Sequence, residues 1–283
     1  MVNLFPFIPL SIAFLFALLL SLIYILALIY SHVNPVYPFI SDSGATHPEA
    51  AYFSYILYLI AILVGIMSWI RYKQIKYFIH NNPKQQQQFN NNDNNVRQKS
   101  KSIDEKLSER LSTVFKLDRL NTWSLYMSII QVLSLPAVAA FRSTESLELH
   151  LLVGAVPVFS ASLIYFLMQT HITYLTIPYV GTLKMARFRL LVSILSIIFG
   201  TCMLFGVLFS ALGLKRTYAD IRGPSRLVWD ESYGGYVGHV VSTVAENVAI
   251  FMMCPFYASF YPEFRRIETQ NRRLKFKFNE INF

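Results

Sequence analysis

The sequence predicts an all-α polytopic membrane protein, a bundle of six transmembrane helices with both termini cytosolic. Three observations predict it. Hydrophobic residues make up 54% of the 283 and charged residues only 14%, against roughly 25% charged residues in a soluble domain. Six stretches, residues 7–30, 52–70, 122–141, 148–170, 187–211 and 239–261, each approach the ~20 apolar residues that a helix needs to cross a bilayer. The basic residues, finally, are divided unequally between the two sides of those stretches. Disordered, collagen-like and disulfide-framework classes are excluded by the same composition. The net charge of +9 would point to nucleic acid in a soluble protein. Here it reports orientation and contact with anionic lipid, and no nucleic-acid partner is expected.

The first stretch lies within 1–41, a segment with no Lys, Arg, Asp or Glu. It is too long for a signal-peptide core and lacks preceding basic residues and a small-residue cleavage site, so it reads as a retained anchor. Six spans put both termini on one side. The 71–121 loop holds eleven Lys and Arg, the 171–189 turn three and the tail after Tyr261 six, twenty on that side against five on the other. Positive residues stay in the cytosol, which places both termini there and the 31–51, 142–147 and 212–238 loops in the lumen or outside the cell.

Residues 1–283 form a single membrane domain in this reading, with two soluble appendages. The loop 80–101 contains Gln85–Gln88 and an Asn-rich run, which cannot bury apolar surface and is expected to be disordered. After it, Ile103, Leu107, Leu111, Val114 and Phe115 recur at helical steps. This amphipathic helix over 102–119, with Ser102 and Glu105 as a capping box, lies on the membrane surface or runs on into the third span. The tail 262–283 interleaves Arg265, Arg266, Arg272, Arg273, Lys275 and Lys277 with Phe264, Leu274, Phe276 and Phe278. It is expected to meet anionic lipid at the cytosolic surface. Tyr72-Lys-Gln-Ile75 fits the tyrosine-x-x-apolar sorting pattern.

Cys202 and Cys254 both lie in apolar stretches and, by helix rise, at different depths, so they are not expected to pair. No sequon for N-glycosylation occurs.

Polar groups within spans are expensive and need a reason. His239, Ser242, Thr243 and Glu246 share one face of the sixth span. Glu246 sits about two turns below the lumenal end, deep enough that its carboxyl must find a partner or take a proton. His150 begins the fourth span near the lumenal boundary, as His239 begins the sixth. Together with Asp42 and Glu49 of the first lumenal loop, His150, His239 and Glu246 form a candidate polar cluster. Its two readings are an interhelical hydrogen-bond network and a lumenal binding or reaction site. No nucleophile is positioned beside it; Ser41, Ser43 and Ser242 are no more than candidates. Without HExxH or CxxC spacing no metal site is assigned, and no cofactor is implied. In the loop 37–49, Asp42-Ser-Gly44 makes a natural turn, with the Asp carboxylate placed to accept backbone N–H groups. Pro48 and Glu49 suit the start of the second span.

This stretch, Ile40-Ser-Asp-Ser-Gly-Ala-Thr-His-Pro-Glu49, resembles the signature of the damage-regulated autophagy modulator (DRAM) family, within a wider FRAG/DRAM/Sfk six-span group. That group also takes in the N-terminal part of a yeast GPI-lipid remodelling protein. The likeness continues in Arg71-Tyr-Lys-Gln74, in Ala140-Phe-Arg142 with His150 and Gly154-Ala155, and in Tyr236-Val-Gly-His239 through Glu246. The chain departs from the family pattern at Ala140 and Arg142, and at Asn247, where the family has Trp. The resemblance implies a regulator of autophagy in lysosomal or endosomal membranes, with plasma membrane or Golgi as lesser addresses. It would act through membrane lipids or unknown protein partners rather than by catalysis. A lipid-handling enzyme or carrier with a lumenal polar site, as in the GPI-remodelling relatives, is the alternative.

Overall fold

Six helices long and apolar enough to cross a membrane make up nearly all of the structure, a computed structural model that describes residues 3–36, 38–81, 100–215, 223–270 and 273–277. The spans are Phe7–Ile29, Glu49–Asn81, Val114–Ala140, Leu147–Leu175, Leu183–Leu212 and Tyr236–Phe264. Each packs on its neighbour in sequence, and the sixth closes back onto the first. Their outward faces carry exposed leucines and aromatics such as Leu133, Leu152, Leu204 and Phe209, the surface a hydrocarbon solvent accepts.

The interior is aromatic around the sixth span. Phe256 stacks on Phe166 of the fourth span, and Tyr257 stacks on Phe16 and Tyr165. That span is not one continuous helix as the apolar pattern implied. It runs as Tyr236–Phe251, Met253–Ala258 and Tyr261–Phe264. Pro255 and Pro262 lie just past the breaks, where each lacks the N–H a continuous helix would donate. The fifth and sixth spans cross at Gly206 and Gly238. A Cβ on Gly238 would stand 2.5 Å from the Ser210 backbone nitrogen, and one on Gly206 would stand 2.7 Å from that of Ser242. Small residues are what allow such backbone contact between membrane helices.

The two ends differ. At one, the termini meet: Asn3 Nδ2 donates to the Ile267 carbonyl at 2.9 Å. The helical register of 102–119 continues into the third span as a single helix, Ser100–Ala140. It begins before Ser102, so the proposed cap residue falls inside it. The second span runs to Asn81, well past residue 70. Residues 82–99 of the Gln/Asn-rich loop lie outside the described residues.

The basic tail is corrected more deeply. Its first part is folded, an antiparallel hairpin of β1 (Ile267–Gln270) and β2 (Arg273–Phe276). Ile267 pairs with Phe276, and both side chains are buried on the bundle, as is Phe264. The tail was expected at the lipid surface; period-two alternation along the hairpin instead turns Ile267 and Phe276 inward and leaves Glu268 and Lys275 outward. Tyr72–Ile75 lies within the second helix with Ile75 fully buried, so it is no accessible peptide. Cys202 is exposed, Cys254 buried, and both thiols are free.

Candidate functional site

The opposite end of the bundle carries three loops, and the first of them is drawn inside. Residues Ile40–Ser43 form a single helical turn in which every side chain is buried. Gly44 follows because nothing larger fits: a Cβ there would stand 2.4 Å from Cγ of the Phe53 ring.

Asp42 does not play the local turn role that its place before Gly44 suggests. Its Oδ1 accepts from the Ser143 hydroxyl at 2.7 Å and lies 3.0 Å from Arg226 Nε. The Arg226 contact is a charge contact rather than an aligned hydrogen bond, since that N–H finds no hydrogen-bond acceptor. One carboxylate, 1% exposed, thus gathers all three loops: its own, the second through Ser143 and the third through Arg226. The third loop binds the first again through Asn34, whose side chain donates to the Trp229 carbonyl and whose N–H donates to that of Leu227.

Glu246 reaches the same loop from the sixth span. Its Oε2 accepts the N–H of Ile40 at 2.8 Å, at the start of the short turn. Asn247, one of the positions that depart from the family pattern, donates to the Pro38 carbonyl at 3.3 Å. The partner of Glu246 is therefore a backbone group of the Asp42 loop, not a histidine. His150 is a cap: its Nδ1 lies 2.7 Å from the Phe141 carbonyl and 3.2 Å from that of Val138. These carbonyls lie at the end of the third helix, where no helical N–H follows to donate to them. His239 is held by rings, stacked on Trp229 at 4.6 Å between centroids and edge-on to Phe39 at 5.3 Å.

Glu49 stands apart from this group. It is fully buried at the start of the second span, and its Oε1 lies 2.8 Å from His32 Nδ1. Of the serines, Ser43 and Ser242 donate to the carbonyls of Phe39 and His239, which spends the hydroxyl a nucleophile would need. Ser41 faces a cavity shared with His150 and Glu246. Among the described residues no group of three His, Cys, Asp or Glu is placed to hold a metal. His32, Ser143 and Arg226 were missed by the sequence reading. Arg226 alone left a signal, as one of few basic residues on the poorly charged side.

A second polar site, also missed, lies at the termini end. Arg71 and Arg189 are both 0% exposed and converge on one carboxylate, Glu263. Arg189 donates to Glu263 Oε1 at 2.9 Å and Oε2 at 2.5 Å, to Thr173 Oγ1 at 2.6 Å and to Ser259 Oγ at 2.8 Å. Arg71 donates to Gln169 and Gln74, and its Nη2 stands 4.0 Å from Glu263 Oε1 without a hydrogen bond. Both guanidinium groups lie over the Phe260 ring. Counted among the twenty orienting charges, these two arginines instead clamp the second, fourth, fifth and sixth spans.

A ring of six apolar helices, tied at one end through a single buried aspartate and at the other through a shared glutamate, defines a multi-pass integral membrane protein. The family model described as Frag1/DRAM/Sfk1/Cwh43P N-terminal domain matches residues 4–267, and the chain belongs to that family. It is 27% identical over 250 residues to DNA damage-regulated autophagy modulator protein 2 of Bos taurus, covering 86% of this chain and 78% of that protein. To the Homo sapiens protein of the same name it is 26% identical over 257 residues, 91% of this chain and 80% of that one. To DNA damage-regulated autophagy modulator protein 1 of Homo sapiens it is 23% identical over 244 residues, 86% of this chain and 84% of the other. No solved structure matches.

Proposed function

We propose that the protein regulates autophagy from lysosomal or endosomal membranes, through protein or lipid contacts and without catalysing a reaction. The observation that carries this is the family match over nearly the whole chain, with relatives named as autophagy modulators. The geometry supports it: Asp42, His150, His239, Ser43 and Ser242 all spend their polar groups or rings on holding loops and helix ends. The termini end faces the cytosol in this reading. There Arg265, Lys275 and Lys277 are exposed, and basic groups near a membrane surface attract anionic headgroups at ~1 kcal/mol each.

Deletion of the gene, with rescue by a tagged copy, tests the reading. Autophagic flux, measured as degradation of a cytosolic cargo with and without lysosomal inhibition, is expected to fall on deletion and recover on rescue. The tagged protein is expected on membranes that carry a lysosomal or endosomal marker. Unchanged flux in the deleted cells overturns the proposal.

A further inference from the structure

The first loop carries two histidines whose neighbours have opposite charge. His32 Nδ1 lies 2.8 Å from Oε1 of the buried Glu49. His47 Nε2 lies 3.3 Å from Nη2 of Arg142, in the second loop.

The second of these pairs fixes a protonation state. A guanidinium offers only N–H donors and does not give up its proton, so the imidazole nitrogen that faces it must be the acceptor. A neutral imidazole has one such nitrogen and an imidazolium has none. His47 is therefore uncharged in this arrangement. A proton added to it removes the acceptor and turns the contact into a meeting of two cations. Histidine is the side chain that ordinarily makes this change between pH 5 and 8, so the contact is present above that range and lost below it. His32 answers acid in the opposite sense, since a Glu49 carboxylate accepts from it whether the ring is neutral or charged.

Position gives the His47 contact its reach. Arg142 is followed by Ser143, whose hydroxyl donates to Asp42 in the same loop as His47. Two side-chain bonds thus join the first loop to the second, one buried at Asp42 and one exposed at His47. The second loop also turns on Arg142, whose carbonyl accepts the N–H groups of Glu145 and Ser146 at 3.1 and 2.9 Å. His47 is exposed and the Arg142 side chain is 30% exposed, so protons reach the pair without any opening of the fold.

The other charges at this end are already engaged. Glu145 Oε1 lies 3.0 Å from Arg142 Nη1, beside the pair, where it can receive the imidazolium that Arg142 repels. Asp42 is held by Ser143 and by Arg226 of the third loop. Glu49 meets His32 at the start of the second span, and Glu148 stands at the start of the fourth. In the sixth span Glu246 accepts from Ile40, and His239 stacks on Trp229.

We propose that His47 and Arg142 form a latch between the first and second loops, closed near neutrality and released by acid on the side that these loops face. The latch rests on this contact and not on the autophagy reading, and purified protein tests it. The full chain, in phosphatidylcholine nanodiscs, undergoes hydrogen exchange at about pH 8 and about pH 5, the ends of the histidine range, with the intrinsic effect of pH on exchange divided out. Protection of the 143–147 amides is expected to fall about fivefold at the lower pH, the weight of two like charges ~4 Å apart in water. Amides of the sixth span are expected to keep theirs.

His47→Gln offers an acceptor that takes no proton, and its second loop is expected to stay protected at both pH values. Arg142→Met removes the cation and is expected to give the low protection at both, which keeps the latch testable should the first variant not fold. His32→Gln is expected to leave the response intact. Equal protection of the parent protein at the two pH values, or a fall that persists in His47→Gln, overturns the latch. So does a fall shared by the sixth span, which is general unfolding, or a response lost in His32→Gln, which belongs to the Glu49 pair.

Discussion

Glu246 of the sixth span and Ile40 of the first loop are 206 residues apart in the chain, yet the Glu246 carboxyl accepts the Ile40 N–H at 2.8 Å in the buried interior. The bond closes the first loop onto the last helix and starts the turn that presents Asp42.

This bond separates a structural role from a chemical one. Glu246→Gln keeps an acceptor for the Ile40 N–H, so folded yield and trafficking are expected to hold. Glu246→Leu leaves a buried N–H unsatisfied, at a cost of about 1–3 kcal/mol, and is expected to lower the melting temperature. A stable, correctly located Gln variant without autophagic function would instead favour a lipid-handling enzyme or carrier.

The Asp42–Arg226 contact is expected to show strong coupling. Removing Asp42 strands a guanidinium only 14% exposed, and breaking such a pair from one side costs about 3–5 kcal/mol when fully buried, so a somewhat smaller loss is expected here. Asp42→Asn with Arg226→Leu should recover part of the loss in a double-mutant cycle of thermal stability. Additive effects would contradict the pairing.

Glu263 is the position of greatest expected cost at the termini end. Glu263→Gln leaves two buried cations with no counter-ion among the groups around them, and a loss at the upper end of about 3–5 kcal/mol is expected. Arg189→Lys is also expected to destabilise, since one ammonium cannot reproduce the fork to Glu263, Thr173 and Ser259. A size-exclusion profile after graded heating reads both. A Glu263→Gln protein as heat-stable as the parent would remove the shared-carboxylate account.

Gly44→Ala should fail for lack of room against the Phe53 ring. Overpacking of this kind costs about 1–3 kcal/mol. Phe53→Leu in the same chain is expected to restore folded yield, and the absence of any rescue would mean that the ring is not the obstacle.

Asn3 and Ile267 meet at one end of the bundle, and the partition of basic residues predicts that this end, with both termini, faces the cytosol. In sealed vesicles with the cytosolic face outward, tags on both termini should be lost to added protease. An acceptor sequon placed in the 212–238 loop should be glycosylated. Protection of either tag would reverse the orientation.

The number of spans was determined by the sequence alone, because apolar length is a local property that each stretch carries by itself. The family motif was equally legible, and Glu246 stood out as a carboxyl that needs a partner or a proton; in the fold it meets the Ile40 N–H. What only the tertiary structure decided is which groups meet. Asp42 finds Ser143 across 101 residues, and Arg189 finds Glu263 across 74. Arg71 and Arg189 looked like orienting charges, and Phe264 and Phe276 like parts of a lipid-facing tail, until the fold buried all four. Such pairings depend on how each helix is rotated within the ring, and that rotation is set by the summed packing of every span. The burial it produces removes water as a competing partner, so a chance juxtaposition becomes an obligatory contact.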